Sequence, residues 1–187
     1  MSAEIALIVA PERTYAALVA RQTQIGVVGA LRRPLLVAVV LGTSLSLSAT
    51  GHVTPALVFS TTLLLGVLVV GQVLIALVTT SGMPVQTIGR ARAFDLFFAS
   101  HAPWSLWLLA SARGLPSPSP TLPWLAAIAP IVLTPRIIAA YFREVHGLDR
   151  RQAALRTVGH QVLTWAAFLA LFGAAVAIWP QMLHLLS

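Results

Sequence analysis

Three ionisable side chains sit within or beside otherwise apolar stretches: Asp95, His101 and Arg136. A charge in hydrocarbon is expensive, so such residues line polar pathways, relay protons or tie helices together by ion pairs. Asp95 and His101 share "FDLFFASHAPWSLWLLASA", and Arg136 lies in "LPWLAAIAPIVLTPRIIAAYF". The chemistry open to them is an interhelical polar cluster, with Arg136 held by Asp95 or by carbonyls freed near Pro135. The competing expectation is plainer: Arg136 snorkels to the membrane face and Asp95 caps a helix.

The other candidates for chemistry are sparse. The 5 histidines (His52, His101, His146, His160, His184) are scattered without metal-ligand spacing. Glu144 and His146, two apart in a charged loop, read as solvated residues. The sequence has no glycine-rich phosphate loop, no H-E-x-x-H and no G-x-S-x-G. It has no cysteine, which excludes disulfides, thiolate metal sites and cysteine nucleophiles. No cofactor is expected, and the chain reads as a non-enzyme.

The elements that would position these residues follow from composition. Hydrophobic residues make up 58% of the chain and charged ones only 9%, too little charge to cover the surface of a soluble domain of this size. A bilayer core takes about 20 helical residues to cross. Five apolar segments meet that length, at residues 34–53, 55–80, 94–112, 122–142 and 159–179. The expectation is therefore an all-α polytopic membrane protein, a single domain over 1–187 with five transmembrane helices. Residues 11–33, "PERTYAALVARQTQIGVVGALRR", are expected to form an N-terminal interfacial helix beginning at Pro11, with Leu18, Val19 and Ile25 on one side and Arg13, Arg21 and Gln24 on the other. The extreme N-terminus lacks a basic region before its short apolar run and is not read as a signal peptide.

Charge sets the orientation. Arg13, Arg21, Arg32 and Arg33 precede the first segment, Arg90 and Arg92 lie between the second and third, and Arg143, Arg150, Arg151 and Arg156 lie between the fourth and fifth. The alternate connections carry only Arg113. The positive-inside rule then places the N-terminus in the cytoplasm and the C-terminus outside. The formal net charge of +7 is spread around apolar runs rather than along one face, so nucleic acid is not an expected partner. Anionic headgroups at the inner face are expected partners, at Arg150, Arg151 and Arg156. In the same loop, Gly147 fits a left-handed helix end, and Asp149 with Gln152 three residues on fits the start of the next helix. Ala166, Ala170, Gly173 and Ala177 recur at helical spacing and form a small-residue face suited to packing on another helix, from another membrane protein or from a second copy.

Three stretches carry a resemblance. "PERTYAALV", "ARAFDLFFASHAPWSLWLLA" with its internal Pro103, and "YFREVHGLDRRQAALRTV" resemble the start, the third span and the last inner loop of the Yip domain (Ypt-interacting protein) family and its bacterial relatives. The resemblance implies five spans with a cytoplasmic N-terminus. Eukaryotic members are associated with Rab GTPases, but this sequence lacks their D-L-Y-G-P motif and long soluble N-terminal region. With the Arg-only, Ala-, Leu- and Val-rich composition, it points to a bacterial cytoplasmic membrane. The functional expectation is a non-enzymatic scaffold or accessory subunit touching membrane proteins or lipids, and the alternative is a lipid or small-solute transporter.

Overall fold

The computed structural model describes residues 3–21, 23–85, 88–112 and 125–186. It is all-helical, with no strand among the described residues. Eight helices are described: α1 (Ala3–Val9), α2 (Pro11–Ala20), α3 (Val27–Thr50), α4 (Pro55–Thr80), α5 (Arg90–Ala99), α6 (Ala102–Ala112), α7 (Ile128–His146) and α8 (Arg150–Leu186). Three of them, α3, α4 and α8, are long and apolar enough to cross a membrane.

Local chemistry explains the helix ends. Pro11 and Pro55 open α2 and α4, where a missing N–H costs nothing. The Thr54 hydroxyl accepts the Leu57 N–H at 3.3 Å and caps α4. Gly51 ends α3 at φ +72° and Gly147 ends α7 at φ +66°, a left-handed conformation that costs glycine little. Asp149 Oδ1 then accepts the Gln152 N–H at 2.8 Å, so α8 starts where the sequence placed it.

Several expected boundaries move. Residues 11–33 are not one helix, because α2 stops at Ala20 and α3 begins at Val27, so Arg32, Arg33 and Pro34 belong to the first long helix. The segment 94–112 is broken: α5 ends at Ala99, Ser100 and His101 form a turn, and α6 restarts with Pro103 in its first turn. Proline has no N–H to continue the α5 ladder and is tolerated at a helix start, which accounts for the restart. The segment 159–179 is part of one 37-residue helix, α8, about 55 Å long at 1.5 Å per residue. The start of the expected 122–142 span lies outside the described residues.

The core gathers at one end of the bundle. Leu7 of α1, Tyr15 of α2, Leu96 and Phe97 of α5, and Ile137, Ile138, Tyr141 and Phe142 of α7 are all fully buried there. Tyr15 and Tyr141 meet edge to face with centroids 5.8 Å apart, and Phe97 meets Tyr141 at 5.4 Å. Away from this end, α3 and α4 form a hairpin in close contact: the Thr61 hydroxyl donates to the Gly42 carbonyl at 2.9 Å, and a Cβ on Gly42 would fall 2.5 Å from Thr62 Oγ1.

Candidate functional site

Asp95 is the hub of the buried charge. It sits in the second turn of α5 with its side chain 7% exposed. Its Oδ1 accepts Arg33 Nε of α3 at 2.7 Å, and its Oδ2 accepts Arg92 Nη1 at 2.6 Å, three residues back on its own helix. Arg33 reaches on to Glu4 of α1. One carboxylate thus holds two guanidiniums, and a second carboxylate shares one of them. Burial makes such a set expensive unless each charge has partners, and here geometry supplies them. At the protein surface, Arg143 of α7 donates to Glu12 of α2 at 2.7 Å. The N-terminal helices are therefore tied to the bundle at two points by opposite charge.

Arg136 does not join this set. It is exposed on α7, and none of the ion pairs among the described residues includes it. Of the two arrangements the sequence left open for Arg136, pairing with Asp95 is not the one seen: Arg33 and Arg92 hold that carboxylate. Nor does Asp95 cap a helix, since it lies past the first turn. His101 is also separate from Asp95. It occupies the turn between α5 and α6, and its Nε2 lies 3.2 Å from Nε2 of His160 on α8. The two rings cross at 78° with Phe97 edge-on to His160 at 5.1 Å. The Ser100 hydroxyl lies 3.2 Å from His101 Nδ1, while His160 Nδ1 is buried with no hydrogen-bond partner. The anticipated triad thus resolves into an ion-pair hub, a histidine pair and one exposed arginine.

A third polar chain lies near the α7 end. His146 Nδ1 is 3.0 Å from the Pro84 carbonyl, its Nε2 is 3.0 Å from the Tyr141 hydroxyl, and that hydroxyl donates to the Ala93 carbonyl at 3.0 Å. His146 is 2% exposed, so the loop reading of a solvated His is wrong. Its hydrogen bonds stitch α4's exit, α5 and α7 together. Burial, together with the positive charge of Arg156, holds this imidazole below its ordinary pKa, against the pull of the Pro84 carbonyl.

The remaining sequence candidates lie on surfaces. Arg150, Arg151 and Arg156 are exposed in the first two turns of α8. Ala166, Ala170, Gly173 and Ala177 are exposed further along the same helix, and a Cβ on Gly173 would meet nothing within 4 Å. No group of three or more His, Cys, Asp or Glu able to hold a metal exists among the described residues. The partners that sequence reasoning missed, Glu4, Arg33, Arg92 and His160, are mostly long-range. Only the Arg92–Asp95 spacing, three apart on a helix, was a readable signal.

No family model matches the chain, and no curated protein or solved structure matches it either.

Proposed function

We propose that this chain is a non-enzymatic scaffold or accessory subunit of a bacterial cytoplasmic membrane, which contacts other membrane helices through its outer surfaces and anionic headgroups through its inner basic face. In this reading the bundle crosses five times, by α3, α4, the broken α5–α6 pair, α7 and α8. The arm formed by α1 and α2 lies at the inner interface, with the N-terminus inside and the C-terminus outside. The reading leans on geometry and charge rather than on the Yip-domain resemblance.

One observation carries it. The long apolar helices bury little of themselves within their own chain: 22% of Val27–Ser44 in α3, 6% of Pro55–Thr80 in α4 and 11% of Arg150–Ala174 in α8. Apolar surface on that scale needs lipid or another protein against it. On α8, the small side chains that would let a neighbouring backbone come close are all left open. The cysteine-free sequence makes a test direct. Ala170→Cys in native membranes should form a disulfide-linked or bifunctionally cross-linked species, and Leu169→Cys, its exposed neighbour, should form much less. Equal cross-linking at both positions would leave α8 facing only lipid.

The transporter alternative has one observation in its favour. The helix break at His101, beside the partnerless Nδ1 of His160, resembles the interrupted helices that transporters use for binding near the bilayer midplane. Proteoliposomes that dissipate a proton gradient, and lose that ability on His101→Leu, would move the account to transport.

A further inference from the structure

The exit of α4 and the start of α5 border an open cavity of about 310 Å³. That lies at the lower end of the size range of small-ligand sites, about 300 Å³ upward. Its polar lining includes Thr80, Ser81 and Arg90, and its apolar wall includes Leu77, Val85 and Phe94. Tyr141 and His146 contribute to it from α7, each already bonded within the protein. No carboxylate lines the cavity among the described residues. Arg90 forms none of the ion pairs among the described residues, whereas Arg92, two positions on, is committed to Asp95. Gly89 gives the first turn of α5 no side-chain cap, so the free N–H groups of that helix end add to the positive field near Arg90. On the α4 side the cavity is continuous with Leu77, which is 52% exposed, and Leu74 and Val78 are exposed on the same helix.

We propose that this cavity binds the phosphate headgroup of an anionic membrane phospholipid, with Arg90 as its charge partner and the acyl chains lying along Leu74, Leu77 and Val78 of α4. The cationic, carboxylate-free lining selects an anion, and the apolar surface running out along α4 selects one that carries chains. This inference rests on the membrane reading above and narrows it to a defined site, distinct from the basic face of Arg150, Arg151 and Arg156.

The test uses the full-length protein, delipidated in a neutral detergent and titrated with phosphatidylglycerol, with bound lipid counted by native mass spectrometry. Arg90→Gln should weaken saturable binding about fivefold, the factor for one arginine near an anionic headgroup at about 1 kcal/mol. Arg90→Lys should retain most of the binding, and Ser81→Trp, which fills the lining at an exposed position, should lower it without removing charge. Phosphatidylcholine should bind equally to all variants. Substituting Arg150, Arg151 and Arg156 together by Gln should leave the saturable site intact. Unchanged phosphatidylglycerol binding in both Arg90→Gln and Ser81→Trp overturns the proposal. Inorganic phosphate that competes fully, and depends equally on Arg90, overturns the lipid assignment in favour of a free anion. If only the triple substitution abolishes binding, the cavity is excluded while the basic-face reading stands. A chain that stays monodisperse without detergent would overturn the membrane reading itself.

Discussion

Replacing Asp95 with Asn removes the only carboxylate within reach of Arg92 in the set of ion pairs among the described residues, and one of the two within reach of Arg33. The three side chains are 7%, 13% and 32% exposed, so the Arg92 half of the hub is mostly buried and the Arg33 half is partly wet. Removing one partner of a buried pair costs about 3–5 kcal/mol, because the other charge is left without compensation. Arg33 keeps Glu4 and is screened by solvent, so its share is that of a surface pair, below about 1 kcal/mol. Arg92 Nε already lacks a partner, which leaves that guanidinium little to fall back on. The expected loss for Asp95→Asn is therefore about 3 kcal/mol, mostly through Arg92. Reversible unfolding in mixed micelles, followed by circular dichroism as SDS is added, measures it. A double-mutant cycle with Arg92→Gln should recover most of the loss as coupling. A change within about 0.5 kcal/mol, or strong coupling of Asp95 to Arg136 instead, would refute this assignment of the charges.

Three further outcomes follow from the same geometry. Arg136→Leu, at an exposed site with no carboxylate, should be neutral or raise the melting temperature; a loss comparable to that of Asp95→Asn would mean that Arg136 has a buried partner. Gly42→Val should destabilise the α3–α4 hairpin by about 1–3 kcal/mol, because the first added carbon already meets Thr62 at 2.5 Å, whereas Gly173→Val should change the stability of the isolated chain little. For His146 the folded protein favours the neutral ring, so its contribution is present above the unfolded pKa of about 6.5 and is lost as pH falls below it. Melting temperature should fall with pH in that window, and His146→Gln should flatten the fall.

The turns were easiest to read from the residues. Gly147 with Asp149 fixed the α7–α8 connection, and Pro11 and Pro55 fixed two helix starts, because these are local constraints carried by one or two side chains. The apolar runs were also legible as helices, although not their breaks. Pro103 was visible, but whether a proline bends a helix or ends it depends on what packs beside it. Here His101 turns towards His160, 59 positions away. The candidate site was read least well for the same reason. Asp95 and Arg136 are both anomalous in apolar sequence, and pairing them was natural. Yet Arg33, 62 positions from Asp95, reached it first because α3 begins earlier than the apolar run suggests. The N-terminal apolar run became α1, which a short sequence cannot nucleate alone. It packs because Leu7 enters the core and Glu4 meets Arg33.

The central claim is a membrane bundle with its basic connections on one side, and accessibility in intact cells tests it most directly. In the cysteine-free chain, Ser81→Cys and Ser117→Cys are labelled separately with a membrane-impermeant thiol reagent. The account predicts labelling at position 117 before lysis and at position 81 only after it. Labelling at 81 before lysis, with 117 protected, would contradict the orientation of the bundle and the inner placement of Arg90, Arg150, Arg151 and Arg156.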